Sequence, residues 1–132
     1  MSKPMNTDES GVAIGGYDPV AYFSGEAREG DAEITATHDG TTYRFASEAN
    51  RDAFNADPEK YTPEYGGFCA TAMSEGKIFE VDPTNFKVDG DRLFLFYKGE
   101  AGDTLPEWNA DEANRRASAD AHWANDTYAE HE

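Results

Sequence analysis

From residue 11 onward, apolar positions come in short runs separated by turn residues, with two clear changes of period. Across "AEITATHDGTTYRF", residues 32–45, polar and apolar side chains alternate on both sides of Asp39-Gly40. That pattern predicts two antiparallel strands joined by a two-residue type I′ turn. Ser47 then reads as an N-cap, with Glu48 in the first turn and Ala49, Ala53 and Phe54 as the buried stripe. Asp57-Pro58 repeats the start signal and predicts a short helix through Tyr61, ended by Pro63. "YGGFCATAMSEG", residues 65–76, predicts a third helix entered through Gly66-Gly67 and closed by Gly76, with Cys69 in its first turn. "KIFEV" and "FKV" read as short strands. "DGDRLFLFYK" supplies a second Asp-Gly turn and a strand in which Leu93, Leu95 and Tyr97 alternate with Phe94 and Phe96. Apolar residues on both faces predict a central strand. From Asn109 to Asn125 the residues turn to Ala, Asp, Glu and Arg, a helix by propensity. Trp108 and Trp123 would fasten it to the sheet, with Ala113, Ala117 and the stem of Arg116 between them. The predicted class is α+β: a small antiparallel sheet built from hairpins, packed with several short helices and a C-terminal helix.

A length of 132 residues allows one domain, and the 13% aromatic share gives it large units of buried area. The expected organisation is a disordered tail over 1–10, one domain over 11–128, and a tail over 129–132. Net charge is −16, from 27 acidic and 11 basic residues. A chain so acidic lacks the basic stripe that nucleic acid requires, and it is repelled by anionic membranes. No stretch approaches transmembrane length and the N-terminus shows no apolar signal core. The expectation is a soluble cytoplasmic protein, or an exported one only if a leader was trimmed.

Cys69 is the one cysteine, which excludes an internal disulfide. In the first turn of a helix, a thiol sits among unpaired N–H groups and ionises more readily; buried among apolar residues it behaves as a small hydrophobe. The aromatic set Tyr17, Tyr22, Tyr43, Tyr65 and Phe68 supplies core, with hydroxyls that need partners and could line a semi-polar cavity near Cys69. His38 lies beside the first turn, His122 on the rim of the last helix and His131 in the tail, with no spacing that points to a metal pair. Asp18 and Asp57 precede prolines, where turn or capping roles account for them.

Several pieces together resemble the YHS domain. Asp18-Pro19-Val20 stands where that family has Asp-Pro-Val-Cys, and Phe45-Ala46-Ser47 where it has Phe-Cys-Ser. Asn50 takes the place of a second cysteine four residues on, and Phe54, Pro58, Lys60 and Tyr61 complete the pattern. Gly16 to Phe23 and the segment Tyr65 to Ala70 resemble a longer bacterial branch of the family, some of whose members are selenoproteins. The resemblance implies metal binding through three cysteines, and here those positions are Ala21, Ala46 and Asn50. Methyl groups and a neutral amide are not thiolate ligands, so no tight copper or zinc site and no cofactor are expected. The leading reading is a non-enzymatic module that binds a small molecule or protein partner in a pocket near Cys69. Tyr65, Phe68, Tyr17, Tyr22 and Asn50 are its other candidate contacts. A thiol redox protein acting through Cys69 is the alternative, and residual metal binding through Cys69 with a histidine or carboxylates the third.

Overall fold

The computed structural model describes residues 5–100 and 102–130, the last two by backbone alone. Strands β1 (Asp31–His38) and β2 (Thr41–Phe45) pair antiparallel with His38 opposite Thr41, so Asp39-Gly40 alone makes the turn. Both turn residues have positive φ, 52° and 81°, as a type I′ turn demands. At its other end the ladder slips between Asp31 and Thr35. Gly30 stands there because a Cβ on it would lie 2.5 Å from the backbone carbon of Arg44.

Helix α1 (Glu48–Ala56) starts on Ser47, whose Oγ accepts the Asn50 N–H at 3.1 Å. Its inward face is not the expected alanine stripe. Phe54 is buried and Ala53 half-buried, but Ala49 is exposed. The residue four before Phe54 is Asn50, and that pair shares a face, which turns Ala49 outward. Helix α2 (Pro58–Tyr61) follows, although the Asp57 side chain makes no capping bond.

The predicted third helix is replaced over its first half. Residues Glu64–Gly67 form a 3₁₀ turn in which Tyr65 and Gly66 are left-handed, and helix α3 covers only Ala70–Ser74. Two left-handed residues in succession cannot continue into a right-handed helix. Cys69 therefore sits at the N-cap, not in the first turn.

Strands β3 (Lys77–Ile78), β4 (Asp82–Asp89) and β5 (Arg92–Phe96) come next, with β4 and β5 an antiparallel hairpin. A further small hairpin, β6 (Lys98–Gly99) with β7 (Gly102–Asp103), has no counterpart in the sequence expectations. The expected C-terminal helix is two: α4 (Leu105–Ala110) and α5 (Glu112–Asn125), separated by Asp111 at φ −148°. Trp108 belongs to α4, and the residue of α5 that is buried is Ala119, whereas Ala113 and Ala117 are exposed. Once the helix breaks at Asp111, α5 turns Ala119, Arg116 and Trp123 inward. Strand β8 (Ala129–Glu130) pairs parallel with β3 in the segment expected as a tail. Within the N-terminal segment, Asn6 donates its N–H to Gly66 O at 2.9 Å.

β5 divides the interior. Leu93 and Leu95 join Tyr22, Tyr43, Phe45 and Phe54 in one core, while Phe94 and Phe96 join Tyr65, Met73 and Trp108 in the other. Each such side chain contributes about 1.5–3 kcal/mol on full burial. The fold is α+β, as expected.

Candidate functional site

The Asp18-Pro19-Val20 turn places a carboxylate with 0% exposure beside the end of β2 and the first turn of α1. Asp18 Oδ1 accepts the N–H groups of Val20 at 2.8 Å and Ala21 at 3.2 Å. Oδ2 accepts the Ala46 N–H and the Asn50 Nδ2 amide, both at 2.8 Å. Ala21, Ala46 and Asn50, the three positions that the resemblance to the YHS domain sets against cysteines, thus converge, and what they direct inward is N–H donors. A buried carboxylate is tolerated only when its lone pairs are satisfied, and four donors meet that need. The donor set does not fit a metal ion, because Ala21 and Ala46 offer no ligating atom and the Asn50 amide turns its NH₂ group to Asp18. Among the described residues, no three His, Cys, Asp or Glu side chains converge as a metal-binding group.

Cys69 is in a different place. It is 0% exposed, its N–H donates to Phe79 O at 3.0 Å, and it bridges to Leu95 on the β5 edge not used by β4. Its Sγ accepts the Tyr97 N–H at 3.3 Å and lies 3.4 Å from Thr104 Oγ1. The thiol borders a cavity of about 200 Å³ whose wall also carries Thr71, Phe79, Tyr97, Thr104 and Lys77. Phe79 and Tyr97 stack at 4.9 Å and 10°, forming one flat apolar side. The opposite chemistry is polar: Thr71 Oγ1 donates to Thr104 O at 2.9 Å, and Thr104 Oγ1 to Tyr97 O at 2.9 Å. Glu75 and Glu107 stand at the same cavity, with Lys77 Nζ 3.9 Å from Glu75.

Of the six residues expected to share a ligand site, Cys69 alone lines this cavity. Asn50 is at the Asp18 hub. Tyr22 is buried in the first core, its hydroxyl donating to Pro83 O at 2.6 Å and held protonated by burial. Tyr17 packs half-buried against the same core. Phe68 is buried next to Cys69 in the chain. Tyr65 belongs to another cavity, its hydroxyl donating to Asp120 at 2.7 Å; burial and that carboxylate push its pKa up. Tyr43, raised to about 12 by burial and by Asp39, lies with it. His38 stands beside Asp39 and His122 hydrogen-bonds Thr127 at 2.9 Å, so neither reaches Cys69's cavity. His131 lies outside the described residues. Sequence reasoning missed the central role of Asp18, for which the three converging non-ligand positions were the available signal. It also missed Phe79, Tyr97 and Thr104, which no local pattern marks.

Fold and site define a small α+β module with a buried carboxylate hub and a separate thiol-bordered cavity. Residues 30–65, under half of the 132, match the family model of the YHS domain. The match spans β1 to the start of the 3₁₀ turn and includes Ala46 and Asn50; Gly16 to Phe23 and residues 66–70 lie outside it. No curated protein and no solved structure matches the chain. Among the described residues no helix is long and apolar enough to cross a membrane.

Proposed function

We propose that the chain is a binding module and that its ligand site is the cavity beside Cys69. The observation that carries this reading is a fully buried thiol bordering an open space of about 200 Å³ between a stacked ring pair and two threonines. Ligand cavities usually measure about 300–1,000 Å³, so the occupant is a molecule of few heavy atoms or one protruding side chain of a protein partner. A flat apolar ring pair in a lining that also carries Thr71, Thr104, the Lys77–Glu75 pair and Glu107 favours a planar, partly polar group. The likeness of residues 30–65 to the YHS domain supports a module of this kind. The metal association of that family is not carried over, since the donors at Ala21, Ala46 and Asn50 are directed at Asp18.

Phenol is a suitable probe, being planar with one hydroxyl. On titration, the amide resonances of Thr71, Phe79, Tyr97 and Thr104 should shift saturably, and Ala72→Leu, which fills the cavity from α3, should abolish the response. Shifts that persist in Ala72→Leu, or that map elsewhere, would remove the assignment. Alkylation separates the redox alternative. A buried thiol should react with iodoacetamide far more slowly in the native protein than after unfolding; native labelling at the rate of a free thiol would replace the binding reading with a redox one.

A further inference from the structure

Thr104 stands at the N-cap position of α4, yet its hydroxyl makes no capping bond to that helix. A threonine there ordinarily accepts an N–H from the first turn of its own helix. The Thr104 hydroxyl instead donates to Tyr97 O at 2.9 Å, and the first N–H of the helix, from Leu105, goes to Asp103 Oδ1 at 2.9 Å. The Thr104 N–H reaches Tyr97 O as well, at 3.1 Å. One residue thus holds that carbonyl twice, across the base of the β6–β7 hairpin.

The positions of the hydrogens follow from this. A hydroxyl carries one hydrogen, and that of Thr104 is spent on a carbonyl, which can only accept. Cys69 Sγ lies 3.4 Å from Thr104 Oγ1, so in that contact the S–H donates and Oγ1 accepts. The sulfur in turn accepts the Tyr97 N–H at 3.3 Å. Tyr97 N–H to sulfur, S–H to Thr104 Oγ1 and O–H to Tyr97 O close a ring of hydrogen bonds. Thr104 O is engaged too, accepting Thr71 Oγ1 at 2.9 Å and the Trp108 N–H at 3.2 Å.

Every side chain tied in this way to Thr104, those of Cys69, Thr71 and Tyr97, lines the cavity beside the thiol, as Thr104 itself does. Cys69 and Thr71 are buried, while Thr104 and Tyr97 are half-buried. The Tyr97 ring stacks on Phe79, and the hydrogen-bonded ring grips the Tyr97 backbone at both its N–H and its C=O. A threonine that served only the helix would spend its oxygen on the helix; this one spends it on the cavity wall. We propose that Thr104 is the positioning residue of the Cys69 cavity. Through this ring it fixes the Tyr97 side chain and the polar wall in the geometry that receives a ligand, with Cys69 as a hydrogen-bond donor inside it. The proposal rests on the assignment of that cavity as the ligand site.

Cys69 is the one cysteine in the chain, so the infrared S–H stretching band reports on this network alone. In the full-length wild type the band should lie below that of a thiol free of hydrogen bonding, and saturating phenol should move it. Thr104→Val keeps the shape and removes the acceptor. Its band should rise to the free position, and phenol should bind roughly threefold more weakly or worse, the scale of one lost hydrogen bond. Thr104→Ser, which restores the hydroxyl, should return both band and affinity. A free S–H band in the wild type, a band unmoved by phenol, or an unchanged affinity in Thr104→Val overturns the proposal while the ligand site stands. If Thr104→Val does not fold, the two wild-type band measurements decide. Absence of phenol binding to the wild type removes the ligand-site assignment itself, and this proposal with it.

Discussion

Asp18 is the residue on which Ala21, Ala46 and Asn50 close. Its four N–H partners come from the turn that follows it, from the end of β2 and from α1, so the carboxylate joins segments that are far apart in sequence. Removing it leaves buried donors unpaired, each at a cost of about 1–3 kcal/mol, whereas Asn50→Ala forfeits one charge-assisted bond worth about 2 kcal/mol. Asp18→Ala is therefore expected to destabilise by about 3 kcal/mol or more, and Asn50→Ala by less. Urea unfolding with an unchanged slope measures both. A loss below about 1 kcal/mol in Asp18→Ala would show that the hub is not structural. Alanine at positions 21 and 46 is legible in the sequence as the absence of a ligand. That the same positions supply backbone donors is not, because a backbone N–H is present whatever the side chain.

Among the elements, α5 is tied to the second hairpin at Glu112, at Arg116 and, through Arg92, at Asp120. Glu112 accepts Lys87 Nζ at 2.6 Å, Arg116 at 2.8 Å and the Trp108 indole N–H at 3.2 Å, so β4, α4 and α5 meet on it. Arg116 also pairs with Asp89 at the start of the β4–β5 turn. The Lys87 ammonium, followed by Arg116 and Trp108, lowers the Glu112 pKa from 4.5 to about 2. A depressed carboxylate contributes stability that is fully present above its unfolded value and is lost as pH falls through its folded one. The stability difference between wild type and Glu112→Gln should therefore be constant above about pH 5 and vanish toward pH 2. With a quarter of the side chain exposed, the amplitude is about 1 kcal/mol after screening. A difference that stays flat across that acid range would assign the pKa shift to no net stabilisation. The break between α4 and α5 was not legible beforehand. Asp111 is no helix breaker by propensity, and what bends the chain there is the burial of Trp108 against Phe94 and Phe96.

At the scale of the whole molecule, two cores share one strand. Leu95 points into the first and Phe94 into the second, and both are 0% exposed. Truncating either leaves a cavity, at a cost of about 2–5 kcal/mol for Leu95→Ala and about 3–5 kcal/mol for Phe94→Ala. Because β5 cannot leave one core and stay in the other, each variant should still unfold in a single transition. Far-ultraviolet circular dichroism and tryptophan fluorescence should give coincident curves. Separate midpoints in Leu95→Ala, where both tryptophans sit on the unmutated side, would mean that the cores are independent units.

The sequence by itself determined the first hairpin, its turn, the Ser47 cap and a strand over Leu93 to Phe96 buried on both faces, although that strand stands in a sheet of two, with β4, and is not central to a larger one. Each is set by contacts within a few residues: a positive φ at Asp39 and Gly40, an oxygen three residues before an N–H, an alternation of apolar side chains. It also determined that thiolate ligands are missing from the likeness to the YHS domain. Only the tertiary structure decided where Cys69 stands and what surrounds it, since Tyr97 and Thr104 reach its thiol, and Phe79 its N–H and its cavity, from separate segments. The same holds for Tyr65. Its left-handed backbone at φ 57° is kept by a hydroxyl bound to Asp120 of α5, 55 residues away, and no local preference of tyrosine would have chosen it.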